Sequence, residues 1–181
     1  DNLSDAEDTY CHLATTILER ENLLVICRDA SHQQHIAELL GTEINPDHLH
    51  FAQRPYNDTW ARDFGPIAIQ QDGKVALKDF TFTGWGGKFD ASLDNALTAS
   101  LPWQCHVHTA DLVLEGGALD TDGQGCLLTT RQCLLNPNRN PTLDRQQLEA
   151  ALTDHLGVQQ FAWLEHGDLE GDDTDAHVDT L

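Results

Sequence analysis

The same order of segments recurs three times along the chain, and each time a strand-like apolar run leads into a short polar segment. These polar segments cover residues 57–66, 115–117 and 172–179. Successive segments lie roughly 50–60 residues apart, a spacing typical of units that cannot bury themselves alone and therefore stack around an axis or along a solenoid. Around an axis, equivalent strand ends converge. The pattern therefore predicts that the three polar segments form one pocket.

Apolar periodicity predicts an alternation of helices and strands along the whole chain. A capping box at Ser4 and Glu7 is expected to open the first helix, and Ser31 the second. Gly41 and Gly157 are expected to end the second and fourth helices. The predicted strands cover 23–27, 49–53, 66–69, 75–82, 111–114, 126–130 and 161–164, with hairpin turns at 71–74 and 120–123 and a third helix over 92–101. No linker interrupts the chain, so residues 1–181 are expected to form a single domain.

Composition narrows the possible partners. The chain has 30 acidic residues against 10 Lys and Arg, a net charge of −20, and 40% hydrophobic residues, which is typical of a globular protein. Nucleic acid and anionic membranes are not expected as partners, because both are bound through clustered Lys and Arg. Such a charge attracts small cations, although solubility is the better explanation for most of the acidic residues.

The cysteines and the apolar runs indicate a cellular context. Five cysteines are present, an odd number, and none forms a Cys-x-x-Cys pair, so no disulfide framework is expected. A reducing cytoplasm is the expected location.

No apolar run reaches the length of a membrane span, and no signal peptide opens the chain. The chain begins with Asp1 and contains no methionine, which suggests a processed, trimmed or incomplete protein.

Each of the first two polar segments contains groups that can bind a flat cation, and each also has a purely structural explanation. Trp60 and Asp63 would place an aromatic face beside a carboxylate. Alternatively, Arg62 and Asp63 are a surface pair of neighbours at a turn and contribute little energy. Glu115 follows a strand, and the glycines after it either permit close backbone approach to a ligand or form a bulge. Trp85, which precedes another glycine pair, either lines the same pocket or caps the core.

The third polar segment combines an imidazole with several carboxylates. If residues 177–179 are extended, His177 and Asp179 point to the same side, which pairs a proton-transfer group with a carboxylate. The alternative is an exposed polar edge strand. A second functional hypothesis is a metal site whose ligands would be Asp172, Asp173, Asp175, His177 and Asp179. Zinc sites usually contain several His or Cys ligands, and calcium loops contain a glycine turn, so the sequence does not favour a metal here.

The chain resembles the agmatine deiminase and bacterial-type peptidylarginine deiminase family. The resemblance rests on four ordered motifs, WARDFGP at 60–66, WGG at 85–87, LEGG at 114–117 and HVD at 177–179, and it extends to residues 129–131 and 136–141. It covers about residues 56–181. It implies an α/β fold, the pentein propeller of pseudo-fivefold ββαβ modules, of which this chain is expected to supply an incomplete N-terminal portion of about three modules.

The resemblance also implies a reaction, the hydrolysis of a guanidinium to a ureido group with release of ammonia, and it implies no metal and no organic cofactor. By motif match, Asp63 and Asp179 would clamp the guanidinium nitrogens. His177 would act as general acid and base, and Glu115 would orient His177. These four residues are the candidate catalytic residues.

Agmatine is the expected substrate, with N-carbamoylputrescine and ammonia as products, and peptidyl-arginine is the alternative. Trp60 would lie along the substrate, and Trp85 is a further candidate substrate-binding residue. The distal ammonium of agmatine would meet Asp172, Asp173 or Asp175, of which Asp173 is the preferred candidate; the alternative is a solvated acidic loop. A homo-oligomer is possible.

In this family the nucleophilic cysteine follows the His-x-Asp motif near the C-terminus and forms a covalent amidino-thioether with the substrate. None of the cysteines of this chain lies there: Cys11, Cys27, Cys105, Cys126 and Cys133. The chain is therefore expected to be part of a longer enzyme and to be inactive alone; the alternative is a non-catalytic guanidinium-binding or interaction fragment. Ala176 and Thr180 depart from the glycine and asparagine common in the family, which leaves the substrate open.

Overall fold

Strands and short helices alternate in the computed structural model, which describes residues 2–42 and 44–181. The strands are β1 (Leu23–Cys27), β2 (Leu49–Gln53), β3 (Ile67–Gln71), β4 (Lys74–Thr81), β5 (His106–Val113), β6 (Leu119–Thr121), β7 (Cys126–Thr130) and β8 (Gln160–Leu164). The α-helices are α1 (Leu3–Leu18), α2 (Ala30–Leu40), α3 (Ala61–Phe64), α4 (Gly84–Gly87), α5 (Leu97–Ser100), α6 (Arg131–Leu134) and α7 (Arg145–Leu156). Short 3-10 helices cover Asp94–Ala96, Gly116–Ala118 and Val178–Thr180.

Backbone contacts divide the chain into two compact units, Asp1–Tyr56 and Asn57–Leu181. The single domain expected over residues 1–181 therefore stays a prediction. Within the described residues, no helix combines the length and the apolar character that crossing a membrane requires.

The first unit is a β–α–β arrangement. β1 and β2 pair in parallel, with Leu23 opposite Leu49, and α2 connects them. The predicted capping box of α1 is wrong, because the N-cap residue is Asn2 and its side chain makes no capping hydrogen bond. α2 begins one residue before the predicted Ser31, since Asp29 caps it by accepting from the His32 amide at 2.9 Å. Gly41 ends α2, as predicted.

The second unit contains two three-stranded sheets of identical topology. In each, a hairpin pairs two antiparallel strands, and the third strand then adds in parallel: β3–β4–β5 and β6–β7–β8. Helical segments connect the hairpin to the third strand, α5 in the first sheet and α7 in the second. The chain thus contains two complete ββαβ modules in addition to the β–α–β arrangement of the first unit.

The predicted helix over 92–101 is wrong in length, because the region forms only a 3-10 turn and the four-residue α5. The side chain of Asn95 donates to the Phe82 carbonyl at 2.6 Å and to the Ala91 carbonyl at 2.9 Å. A side chain that bonds nearby carbonyls competes with regular helix formation. α7 behaves as predicted: Asp144 caps it in a capping box, and Gly157 ends it with a φ of 73°.

The core of the second unit lies between its two sheets and α7. Its buried residues include Leu112 of β5, Leu127 of β7, and Leu148 and Leu152 of α7. These contacts fix the ends of β5 and β7, from which the second polar segment and the neighbouring α6 depart.

Each polar segment passes through a short helical turn. Asp63 lies in α3, Glu115 precedes the 3-10 helix Gly116–Ala118, and His177 precedes the 3-10 helix Val178–Thr180. The predicted extended conformation of residues 177–179 is therefore wrong. The helical turn nevertheless brings Asp179 to the same side as His177, as the next subsection describes.

Candidate functional site

Side chains from all three polar segments meet in the second unit. His177 lies at the centre: its Nδ1 is 3.4 Å from Asp63 Oδ1 and 4.0 Å from Asp179 Oδ1. Its Nε2 is 3.3 Å from Glu115 Oε2. The structure therefore brings together the four residues that the sequence predicted to share one pocket, and we call them the carboxylate–imidazole cluster.

Gly117 lets three polar atoms of this cluster converge closely on one point of the backbone. A β-carbon added to Gly117 would lie 2.5 Å from Asp63 Oδ1, 2.6 Å from His177 Nδ1 and 2.7 Å from Asp179 Oδ2. Since real β-carbons essentially never approach other atoms within 3.0 Å, any larger residue here must displace the cluster. Only glycine at position 117 therefore allows Asp63 Oδ1, His177 Nδ1 and Asp179 Oδ2 to lie this close together.

Both carboxylate oxygens of Asp63 are held in place. Oδ2 accepts a hydrogen bond from Trp85 Nε1 at 3.0 Å, and Oδ1 accepts one from the Gly117 amide at 3.0 Å. Burial raises the pKa of Asp63, but the hydrogen bonds from His177, Trp85 and Gly117 outweigh burial and lower that pKa below its ordinary value. Asp63 is therefore a fixed anion at neutral pH.

A hydrogen-bonded loop positions His177. Asp172 Oδ2 accepts from the Ala176 amide at 2.7 Å, and Thr130 Oγ1 donates to the Ala176 carbonyl at 2.6 Å. Asp175 and Ala176 have φ angles of 64° and 70°. Such left-handed backbone in non-glycine residues persists only where the surroundings enforce it. The surrounding hydrogen bonds therefore fix the conformation of the loop that precedes His177. Glycine would adopt the positive φ of Ala176 without strain.

The environment of His177 strongly favours its protonated form. Burial lowers the pKa of His177, but the hydrogen bonds to Asp63, Cys133 and Glu115 outweigh it and raise that pKa to about 11. His177 is accordingly an imidazolium at neutral pH in this geometry. Glu115 holds Nε2, and Nδ1 is the nitrogen on the side of Gly117, Asp63 and Asp179.

Asp179 carries a negative charge that its surroundings compensate incompletely. Burial raises its pKa and the nearby Asp63 carboxylate adds to this effect, while His177 and Arg62 act in the opposite direction. Arg62 Nε is 4.0 Å from Asp179 Oδ2, too far for a hydrogen bond. A cation bound between the two carboxylates would relieve this repulsion, so the site is suited to a positively charged ligand.

Glu115 is completely buried, and its contacts all fall on one oxygen. Oε2 accepts from Arg139 Nε at 3.0 Å, faces His177 Nε2, and lies 4.0 Å from Cys133 Sγ. Oε1 is also buried and has no hydrogen-bond partner in the part of the chain that the structure describes.

The sequence did not assign a role to Arg139 or Cys133. Cys133 is completely buried, and its Sγ contacts Glu115 of the cluster. For Arg139 the signal was an arginine within the Asn- and Pro-rich segment 136–141, which supported the family resemblance without a function.

The geometry does not favour a metal. Among the described residues, Glu115, Cys133 and His177 form one group whose potential ligand atoms lie within 4.8 Å of one another. The Arg139 guanidinium already binds the Glu115 carboxylate, and its positive charge disfavours a second cation there. Two of the carboxylates in the acidic loop are already engaged: Asp172 accepts hydrogen bonds from Thr174 and Ala176, and Asp175 is paired with Lys88 and Arg139.

The other predicted substrate-binding residues differ in how open they are. Trp60 immediately precedes α3 and is 64% exposed, so its indole face is free to cover a ligand. Trp85 is buried between Phe82 and Phe89, with ring centroids 5.1 and 5.5 Å away, and it orients Asp63. Asp173 is exposed, and its carbonyl accepts from Lys88 Nζ at 2.6 Å. Direct substrate contacts by these residues stay predictions.

The repeated ββαβ modules are those of the pentein α/β propeller, and comparisons with solved structures support this assignment. C. jejuni agmatine deiminase, solved as a Cys-to-Ser variant with substrate bound, matches 99% of this chain with a TM-score of 0.88 and 36% identity. Agmatine deiminase of Enterococcus faecalis matches 96% of the chain with a TM-score of 0.82 and 30% identity. The chain covers 53% and 48% of those two proteins.

Sequence comparison then identifies the family. The model of the Porphyromonas-type peptidyl-arginine deiminase family matches residues 1–181, and the chain belongs to this family. Agmatine deiminase of Stutzerimonas stutzeri (strain A1501) is 36% identical over 190 residues, an alignment that covers 100% of this chain and 50% of that protein. The chain thus spans about half the length of such relatives.

Proposed function

We propose that the complete protein containing this chain hydrolyses the guanidinium group of a small cationic substrate to a ureido group and releases ammonia. The observation that carries this proposal is the convergence of Asp63, His177 and Asp179 beside Gly117. Carboxylates bind the N–H groups of a guanidinium through charge-assisted hydrogen bonds. The net charge of −20 further attracts a cationic substrate.

The two nitrogens of His177 suggest how protons would move. Glu115 holds Nε2, so Nδ1 is the atom that would exchange protons with the substrate. The imidazolium would donate its Nδ1 proton to the leaving nitrogen, which departs as ammonia. His177 Nδ1 would then accept a proton from the attacking water. A guanidinium bound between Asp63 and Asp179 would compete for their negative charge and thereby lower the high pKa of His177, which makes this second step easier.

A cysteine thiolate is the proposed nucleophile. It would attack the guanidinium carbon to form a tetrahedral adduct, which expels ammonia to leave an amidino-thioether. Water would then attack, and the thiolate would leave as the ureido product forms. The C. jejuni Cys-to-Ser variant with substrate bound supports assigning this step to a cysteine. Cys133 does not suit the role, since it is completely buried against Glu115. The family resemblance instead implies a cysteine that follows Asp179 in the complete protein.

Agmatine is the proposed substrate, with N-carbamoylputrescine as the product. The relatives named agmatine deiminase support this choice. Of the three acidic residues considered for the distal ammonium, Asp172 and Asp175 are already engaged, which leaves the exposed Asp173 as the preferred partner. Peptidyl-arginine remains the alternative substrate. A cytoplasmic location, a possible homo-oligomer and the absence of nucleic-acid partners are part of the same proposal.

Ammonia release by the complete protein tests the proposal, with agmatine, free arginine and an arginine-containing peptide as substrates. Asp179→Asn is expected to lower kcat/KM at least about 100-fold, because it removes one arm of the carboxylate clamp. Asp154→Asn, an exposed acid on α7, is the matched control and should stay close to wild type. No ammonia release from any of the three substrates would contradict the proposal; tight agmatine binding without turnover would instead favour the non-catalytic alternative.

A further inference from the structure

We infer that Arg139 is a positioning residue that sets the proton affinity and the orientation of the Glu115–His177 pair. This inference rests on the proposed function, because it assigns a task within the same site. Arg139 comes from the segment after α6, and its side chain is almost completely buried. A buried guanidinium is costly unless its donors are satisfied, so its partners show what it does.

The side-chain hydrogen bonds of Arg139 connect the two elements that hold His177. Nε donates to Glu115 Oε2 at 3.0 Å, and Nη2 donates to the Thr174 carbonyl at 2.9 Å. Nη1 donates to Asn138 Oδ1 at 2.7 Å and also to Asp175 Oδ2. Glu115 binds the imidazole directly, while Thr174 and Asp175 belong to the loop that leads into it. One rigid, planar group therefore fixes the imidazole and its carboxylate partner relative to each other.

Arg139 and His177 share the same oxygen of Glu115. Arg139 Nε lies 3.0 Å and His177 Nε2 lies 3.3 Å from Oε2, whereas Oε1 has no partner among the described residues. Because both nitrogens lie on this oxygen, Arg139 Nε and His177 Nε2 are at most about 6.3 Å apart. The guanidinium charge offsets the negative charge of the buried Glu115 carboxylate and thereby disfavours a second positive charge on His177. Arg139 thereby lowers the proton affinity of the pair and leaves His177 able to release its proton during turnover.

Other charged and titratable groups also face this pair. They are Asp63, Cys133, Asp172 and Asp179, with Arg62 beside Asp179 and with Asp175 and Lys88 beyond Arg139. Most of these groups are acidic and favour the protonated imidazole. Arg139 contacts the same Glu115 oxygen as His177, so its charge is expected to oppose their effect more strongly than Arg62 or Lys88.

Two substitutions separate the charge of Arg139 from its geometry. Arg139→Gln removes the charge, so the Glu115–His177 pair should hold its proton to higher pH, and the alkaline limb of the kcat profile should move upward by about one to two pH units. Arg139→Lys keeps the charge but not the planar fork. The alkaline limb should then stay in place, while kcat falls about tenfold with little change in KM.

Asn140→Ala is the matched control for a merely structural effect. Asn140 lies next in the chain and bonds the backbone of Val113, donating at 2.8 Å and accepting at 3.1 Å, without contact to the pair. Its loss should lower stability without moving the pH limb.

The kinetic profiles and an activity-independent titration of the ¹⁵N-labelled His177 imidazole in the complete protein test the inference together. An upward shift in Arg139→Gln, absent in Arg139→Lys and Asn140→Ala, supports it. An active, folded Arg139→Gln protein whose pH limb and imidazole titration match wild type overturns it. Should Arg139→Gln fail to fold, wild-type kcat in Arg139→Lys overturns it. If the wild-type protein shows no turnover, the proposed function is refuted but the inference about Arg139 is not, because the imidazole titration still reports on Arg139.

Discussion

Gly117→Ala tests whether the carboxylate–imidazole cluster is the functional site. The new methyl group would lie 2.5 Å from Asp63 Oδ1 and 2.6 Å from His177 Nδ1. Asp63 must therefore retreat by about half an ångström before even the tightest tolerated contact is reached. Gly117 does not have a positive φ, so alanine fits its backbone and the perturbation is confined to the cluster.

The expected cost has two parts. Overpacking should destabilise the fold by about 1–3 kcal/mol, measurable by urea denaturation. Displacement of catalytic groups by up to about 1 Å can lower turnover about 100-fold. This loss is equivalent to about 2.7 kcal/mol of transition-state stabilisation. The assay is the kcat/KM of the complete protein for ammonia release from agmatine.

Gly157→Ala is the control for replacing a glycine elsewhere. Gly157 ends α7 with a φ of 73°, and an added β-carbon would meet nothing within 4 Å. This variant should lose about 1–2 kcal/mol of stability from backbone strain and retain wild-type kcat/KM. The reasoning is refuted if Gly117→Ala folds and also keeps wild-type kcat/KM.

Three further predictions concern the groups around this cluster. His177→Ala should abolish ammonia release, because no other imidazole contacts the cluster within the described residues; near-normal turnover would reject the proton-transfer role. Trp85→Phe removes the hydrogen bond to the Asp63 carboxylate but keeps the aromatic packing, so kcat/KM should fall about tenfold or more; an unchanged value would show that Asp63 is held without the indole. The pKa of His177 is raised from 6.5 to about 11, so its contribution to stability is complete below about pH 6.5 and is lost as pH rises through 11. The pKa of Asp175 is lowered from 3.8 to about 2, so its contribution is present above pH 3.8 and is lost as pH falls through 2. Denaturation of wild type, His177→Ala and Asp175→Asn across both ranges checks these directions, and a variant with the same pH dependence as wild type would contradict the assignment for that residue.

The strands and the modular repeat could be predicted because their signals are local. Apolar runs bounded by turns gave the positions of β1, β2 and β7, and Asp144 and Gly157 gave both ends of α7. Short-range competition by side chains was harder to foresee. Asn95 replaced part of a predicted helix with its own hydrogen bonds, and Asn2 rather than Ser4 precedes the first helix.

The meeting of Asp63, Glu115 and His177 could be predicted because all three follow equivalent parts of a repeat. The support around them could not, since it depends on contacts between distant residues. Arg139 reaches Glu115 across 24 positions, and its role requires knowing that both side chains are buried. The helical turn at 177–179 also escaped prediction, because the enforced left-handed backbone at 175 and 176 redirects the chain.

A crystal structure of the complete protein with agmatine bound, in a variant that lacks the nucleophile, tests the central claim most directly. The account predicts the guanidinium nitrogens within about 2.7–3.2 Å of the Asp63 and Asp179 carboxylates, with His177 Nδ1 facing the reacting group and Nε2 still on Glu115. A guanidinium bound elsewhere, with Asp63 and Asp179 making no contact to it, would contradict the account.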